Sequence, residues 1–322
     1  MNTLLTPKDR KVLYELELSG RDSFAEVGRR SGLSGESVAD RIAKLSESGV
    51  ITGFTTVCDI GKLGLTGYAV WARLGPATER KRAQLFRKLE ADPRIYWIAQ
   101  LGGRFDLLFA IQARSPSDFM SVLGSVQNAH PQIEDLSVAM RVGVWQFRRS
   151  YLIDGGSKRA SLHFSAAGAP AAIDDVDRAL LTALIDTPRI SVDMLARKCE
   201  ISRPTVYARL KELRSRGIYQ GVIANIDCST YGYQSSTLLL QLRNGSDEAR
   251  QALRDYAASN PNIIYYIEVI GPWHVELHCE APTLHQLQQT AADLRSRFAS
   301  NVRSVEIVLC FQYYAKYRFG EL

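Results

Sequence analysis

The sequence predicts an α+β protein made of two copies of one unit, each a three-helix domain followed by a four-stranded domain. Three observations carry this. The chain repeats itself: Asp9-Arg10-x-x-Leu13 recurs as Asp177-Arg178-x-x-Leu181, and the same shift of 168 residues maps Arg21 onto Arg189, Ser34 onto Ser202, Arg41 onto Arg209, Gly49 onto Gly217 and Gly103 onto Gly271. Each copy opens with apolar residues at helical spacing and then changes to strand spacing. Between the copies lies Asp154–Ala172, rich in Gly, Ser and Ala, which reads as a flexible linker. The period is domain-sized, so a short-repeat solenoid is excluded.

Composition narrows the class. The 322 residues suit two to four domains, and 46% hydrophobic residues are enough for real cores. No apolar run approaches the ~20 residues that span a bilayer, and MNTLLTPKDRKVL lacks the features of a signal peptide. The five cysteines are scattered, with no CxxC, which suits a reducing cytoplasm and not a disulfide frame or zinc site. The expected localisation is cytoplasmic. A net charge of +6 permits a polyanionic partner without requiring one.

The elements follow in order. Thr6 before Pro7 starts a helix carrying Val12, Leu13 and Leu16. A short second helix covers Phe24 to Ser31. Ser34 caps a third, with Val38, Ile42 and Leu45 spaced by four and three, and Gly49 ends it. The second copy repeats this with Leu180, Leu181 and Leu184, then Leu195-Ala196, then Ser202 capping Val206, Leu210 and Leu213 before Gly217. Two helices joined by a tight turn, the later one amphipathic and Ser-capped, form a helix-turn-helix pattern. A connecting strand covers Thr52–Asp59. Next come Tyr68–Leu74, helix Arg80–Glu90, strands Ile95–Leu101 and Asp106–Ala113 around Gly102-Gly103, helix Ser117–Val126 and a strand near Val138–Val144. The second copy matches, with its hairpin at Gly271-Pro272. This βαββαβ order is that of a ferredoxin-like plait. The expected domains are residues 1–53 and 173–221 for the helix-turn-helix units, 54–153 and 222–322 for the plaits, and 154–172 for the linker.

Taken together, Leu5-Thr6-x-x-Asp9, Leu33-Ser34-x-x-x-Val38-x-x-Arg41-Ile42-x-x-Leu45-x-x-x-Gly49-Val50-Ile51-x-Gly53-Phe54 and Gly103-Arg104-Phe105-Asp106 resemble the leucine-responsive regulator/asparagine-operon regulator (Lrp/AsnC, feast/famine) family. The second copy repeats the pattern around Ile201-Ser202-Arg203-Pro204-Thr205-Val206 and Arg209-Leu210. The resemblance covers nearly the whole chain apart from the linker. It implies winged helix-turn-helix domains, each followed by a ferredoxin-like effector (RAM/AsnC-type) domain. It further implies pairing through the plait, double-stranded DNA as partner, and a response to an amino acid or related metabolite. Fusion of two units departs from the family and predicts that the pair forms within one chain, with further homo-oligomerisation left open.

Particular residues then acquire roles. Arg203 and Thr205, in the first turn of the second recognition helix, are candidates for base-edge contact, with Ser202 as the cap. Arg41 and Arg209 read either as phosphate contacts or as intradomain ion pairs, and in the second half Arg209 and Lys211 are expected to hold phosphates. Ser34, Lys44 and Lys211 complete the candidate DNA set. From Ser19 to Gly53 five basic residues face five acidic ones, whereas Thr187–Gly221 holds eight against three, a net +5. Phosphate contact needs such charge, so the second half is expected to supply most DNA affinity. The resemblance places an effector at Gly102, Gly103, Phe105 and Asp106, with amides holding a carboxylate and Asp106 an ammonium group. Pro272, Trp273 and His274 make the second copy the weaker sensor.

No nucleophile–base pair, phosphate loop or metal cluster stands out, so no enzyme activity, catalytic residue, cofactor or metal is expected. His274 and His278 lie about 13 Å apart along a strand, too far to share an ion, and read as structural. Trp71, Trp97, Trp145, Tyr313 and Tyr314 read as core or interface aromatics. Two other readings stay open. One is an enzyme similar to the tetrapyrrole (siroheme/haem-precursor) decarboxylases, which are also double units. The other is a metabolite-sensing protein that does not bind DNA.

Overall fold

The computed structural model describes residues 4–92, 94–153, 161–165 and 169–313. The first unit runs α1 (Pro7–Glu17), α2 (Phe24–Ser31), α3 (Gly35–Glu47), β1 (Ile51–Cys58), β2 (Thr66–Leu74), α4 (Glu79–Ala91), β3 (Ile95–Gly102), β4 (Leu107–Ala113), α5 (Pro116–Ala129) and β5 (Ile133–Phe147). A short strand β6 (Ser161–Ser165) follows. The second unit runs α6 (Asp175–Asp186), α7 (Val192–Lys198), α8 (Arg203–Ser215), β7 (Tyr219–Ile226), β8 (Gln234–Leu242), α9 (Asp247–Ser259), β9 (Ile263–Ile270), β10 (Val275–Ala281), α10 (Leu284–Arg297) and β11 (Val302–Tyr313).

Local chemistry sets the helix ends. Thr6 and Asp9 form a reciprocal capping box at α1, and Pro7 sits where its missing N–H costs nothing. Ser34 and Ser202 cap α3 and α8. Gly49 and Gly217, with φ of +75° and +66°, turn the chain out of those helices in the left-handed region that glycine enters freely.

The strands do not stay in two separate plaits. Their order is β2-β4-β3-β11-β8-β10-β9-β5, and β5 also pairs with β2, so eight strands close into a barrel with β6 added outside β5. The two long strands make the closure. β5 pairs with β2 over its first half and with β9 over its second. β11 pairs with β8 and then, over its last residues, with β3. The expectation of two separate ferredoxin-like plaits is therefore corrected to one hydrogen-bonded sheet shared by both halves. The reason is backbone satisfaction: edge strands left unpaired by each half find each other and remove their open N–H and C=O groups. The linker expectation is corrected in part, because 161–165 pairs with β5 as a strand. Its residues 154–160 and 166–168, like Tyr314, lie outside the described residues.

Strand alternation sorts the barrel side chains. On β2, Tyr68, Val70, Ala72 and Leu74 face outward against α4 and α5, while Ala69 and Trp71 face inward. On β10, Val275, Leu277, Cys279 and Ala281 pack in the core covered by α9 and α10. The alternate residues Glu276, His278 and Glu280 are buried too. The inner core joins both halves through Trp71, Trp97, Phe105, Ile267, Trp273 and Val308.

β1 and β7 form a separate two-stranded antiparallel ribbon, one strand from each unit. Its ends are fixed by reciprocal bonds: Asp59 N–H donates to Ile218 O at 2.9 Å, and Asp227 N–H to Val50 O at 2.9 Å. Each helical core also takes residues from the other unit's ribbon strand: Ala224 packs in the first, Cys58 in the second.

Candidate functional site

The recognition helices present different surfaces. At the start of α8, Ser202 Oγ accepts from Thr205 N–H at 3.2 Å, and the two hydroxyls lie 2.8 Å apart. Arg203 follows with a side chain 66% exposed, its Nε paired with Asp193. Lys211 is exposed further along the same helix. On α3, Ser34 Oγ accepts from Ser37 N–H at 3.1 Å, and Lys44 is exposed, but so are Glu36 and Asp40.

Arg41 and Arg209 occupy ion pairs within their own domains, Arg209 also lying 3.4 Å from Asp177, the repeat counterpart of Asp9. Arg41 Nη1 lies 2.6 Å from Asp9 Oδ1 and Arg209 Nη1 lies 2.7 Å from Asp174 Oδ2, so each ties the third helix to the start of the first. Burial alone would raise the Asp9 carboxyl, but bonds from Thr6 and Arg41 hold it below the usual range. Asp174 is held low by the Asp177 N–H and by Arg209. The charge excess of the second half is partly spent inside the protein. Arg189 lies over Phe24 and Phe54 of the first helical domain, at 4.9 and 4.7 Å, and Arg21 donates to Pro188 O at 3.1 Å. Arg214 lies over Tyr219, and Arg216 sits near Asp177 and Glu212.

The Gly102–Asp106 segment is the β3–β4 turn. Gly103 has φ of +109° and open space where a Cβ would stand. The Phe311 ring lies 2.5 Å from where a Cβ on Gly102 would be, so a larger residue there would push that exposed ring aside. Phe105 is buried, 5.5 Å from Trp71 and 6.0 Å from Trp273 between ring centres. Asp106 already has partners: its Oδ2 accepts from Leu74 N–H at 2.9 Å and its Oδ1 lies 3.7 Å from Arg82. In the second copy, His274 Nδ1 accepts from Leu242 N–H at 3.0 Å, and burial lowers its pKa, so it serves the hairpin as a neutral ring.

Sequence reasoning missed a cavity beneath the ribbon. About 550 Å³ lies between the β1/β7 ribbon and the barrel, lined from the ribbon by Thr55, Thr56 and Asn225 and from the barrel by Trp97, Arg141, Gln146, Tyr265 and His278. Its walls are mainly apolar. Trp97 and Tyr265, related by the repeat, flank the His278 ring at 5.9 and 5.7 Å. Burial, aided by Arg141, pushes the His278 pKa down to about 3, so the ring is neutral. Its Nε2 and the Gln146 Oε1 find no hydrogen-bond partner among the described residues. Arg141 donates to Tyr96 Oη at 2.9 Å. The missed signal lay in the repeat itself: Glu276, His278 and Glu280 stand where the first copy has Leu108, Ala110 and Gln112. Among the described residues no His/Cys/Asp/Glu group could hold a metal ion, and no helix is long and apolar enough to cross a membrane.

Two helix-turn-helix units, one per half, stand on a barrel shared by both halves, the arrangement of a DNA-binding protein with a paired reading head. Sequence comparison agrees. The profile of the AsnC-type helix-turn-helix domain matches residues 5–46, and that of a winged helix-turn-helix DNA-binding domain matches 173–218. An uncharacterised HTH-type transcriptional regulator of Pyrococcus furiosus is 33% identical over 119 residues, 37% of this chain and 78% of that protein. A proline dehydrogenase transcriptional activator of Rhodobacter capsulatus is 29% identical over 149 residues, 45% of this chain and 97% of that protein. The chain belongs to the Lrp/AsnC family of helix-turn-helix transcriptional regulators. Among solved structures, the siroheme decarboxylase NirDL matches with a TM-score of 0.61 at 12% identity, over 97% of this chain and 94% of that one. This corrects the expectation that the chain is no enzyme: a solved structure that shares its architecture from end to end is an enzyme.

Proposed function

We propose that the chain regulates transcription by binding a specific double-stranded DNA site chiefly through α8, under control of an amino acid or related small metabolite. The observation that carries this is the contrast between the two recognition helices. α8 begins with an exposed Arg203 and continues to an exposed Lys211, whereas α3 exposes Glu36 and Asp40, which repel phosphate. In this reading Arg203 and Thr205 meet base edges, Ser202 sets the first turn, and Lys211 holds phosphate, with Ser34 and Lys44 giving weaker contact from α3. Arg41 and Arg209 position their helices. Footprinting followed by titration of the parent and Arg203→Ala on the recovered site tests the assignment. Equal affinity of the two proteins would reject it.

Each half keeps the strand order of a ferredoxin-like plait, β5-β2-β4-β3 and β11-β8-β10-β9, and we read the barrel as two such units fused into an intrachain pair. The domain limits proposed are 1–53, 54–153, 173–221 and 222–322. The turn at Gly102, Gly103, Phe105 and Asp106 is the proposed amino-acid site. The open space at Gly103 favours it, and the existing partners of Asp106 and Phe105 restrict it to a ligand held by backbone N–H groups and one carboxylate edge.

A second reading is a tetrapyrrole-modifying enzyme. Its support is the end-to-end likeness to a siroheme decarboxylase together with a neutral His278 and Arg141 in one cavity. A tetrapyrrole absorption band in the purified protein, with decarboxylated product on turnover, would favour it over the regulator.

A further inference from the structure

We infer that the cavity between the ribbon and the barrel is a binding site for a planar, mainly apolar acid that carries a ring N–H or O–H donor, separate from the Gly102–Asp106 turn. Four observations converge. The volume, about 550 Å³, falls in the range of sites that enclose drug-sized molecules. Trp97 and Tyr265 stand on opposite repeat-related strands with His278 between them, so a flat ring entering the cavity meets aromatic surface from both halves. Arg141 places a guanidinium on the wall, which favours an acidic substituent.

The fourth observation is the strongest. His278 is 8% exposed and Gln146 is 2% exposed. Yet the Nε2 of one and the Oε1 of the other lack a hydrogen-bond partner among the described residues, as does the Oε1 of Gln112, which also lines the cavity. Buried polar atoms left unmatched cost stability and call for an explanation. Two of the three are amide oxygens, which only accept, so the missing partner is a donor. A neutral imidazole accepts at the nitrogen that carries no proton. A ligand with a ring N–H or O–H supplies one of these acceptors with the donor it lacks. The repeat adds specificity, because the first copy has Ala110 where the second has His278, so the site binds one molecule in one orientation.

The test uses the full chain without DNA, so its outcome is independent of the regulator reading. Indole-3-acetate, which has one ring N–H and one carboxylate, is titrated by calorimetry beside 1-naphthaleneacetate, which lacks the donor. The expected result is one molecule of indole-3-acetate per chain, quenching tryptophan fluorescence, with 1-naphthaleneacetate several-fold weaker. One ring N–H serves one acceptor, so one of Gln146→Leu and His278→Phe should weaken indole-3-acetate about 3- to 10-fold, the loss of one hydrogen bond, leave 1-naphthaleneacetate unchanged, and raise the melting temperature of the ligand-free protein. Asp106→Ala should leave indole-3-acetate binding intact. Absence of indole-3-acetate binding, or binding indifferent to both cavity variants, overturns the proposal. Binding of haemin through His278 with no response to indole-3-acetate overturns it in favour of the tetrapyrrole reading.

Discussion

Arg149 grips Glu280 with two parallel hydrogen bonds, Nε to Oε2 at 2.8 Å and Nη2 to Oε1 at 2.7 Å. Arg149 follows β5 of the first half, and Glu280 lies on β10 of the second. The same arginine donates from its backbone N–H to Glu17 on α1 at 2.8 Å and from Nη1 to the other oxygen of that carboxylate. One buried cation thus ties a helical domain, the first half of the barrel and the second.

Replacing this cation leaves two carboxylates buried without their partner. Arg149→Met should cost about 3–5 kcal/mol, the range for breaking a buried ion pair from one side. Urea unfolding followed by circular dichroism measures it. A loss under 1 kcal/mol would mean that water reaches Glu17 and Glu280 as the arginine leaves.

Glu276 makes the opposite prediction. Its Oε1 accepts from Trp71 Nε1 at 3.2 Å and Trp273 Nε1 at 3.0 Å, while its Oε2 has no partner among the described residues. Burial raises its pKa, partly offset by Arg141 and the two indoles. A carboxyl with a raised folded pKa contributes stability below its unfolded pKa and loses it as pH rises. Glu276→Gln keeps the acceptor and removes the charge, so it should stabilise the protein at pH 7 by about 1–3 kcal/mol and by less at pH 4. Denaturation at both pH values provides the comparison.

His278 gives an acid-side signature. Its folded pKa, about 3, lies below the unfolded value near 6.5. Its contribution is therefore present above pH 6.5 and declines as pH falls toward 3, at up to about 1.4 kcal/mol per pH unit. His278→Phe should flatten the stability profile between pH 6 and 4 relative to the parent. Superimposable slopes would place the proton elsewhere.

The DNA prediction separates base reading from phosphate holding. Arg203→Ala should cost about 1–3 kcal/mol on the specific site and relax preference at one base position, while Lys211→Ala should weaken all sequences evenly and reduce the salt slope by about 1. Filter binding across a salt series distinguishes them. Arg41→Ala should act on thermal stability, through its pair with Asp9, before it acts on DNA.

Features governed by local rules were legible in the residues alone. Thr6-Pro7, Ser34 and Ser202 fixed helix starts, Gly49 and Gly217 fixed their ends, and the 168-residue shift fixed the duplication, because caps, turns and strand alternation depend on neighbours a few residues away. The residues alone left Arg41 and Arg209 open between phosphate and ion pair, since only folding brings Asp9 and Asp174 beside them. What the tertiary structure decided depends on contacts distant in sequence. The barrel closes through β5–β9 and β3–β11 because edge strands from different halves satisfy each other's backbone. Glu276, His278 and Glu280 share one strand, but alternation says only that they face one side. That this side is a buried interior shared with Trp71, Trp97 and Arg149 required the second half to arrive, and the cavity exists only because a ribbon from both halves lies across the barrel.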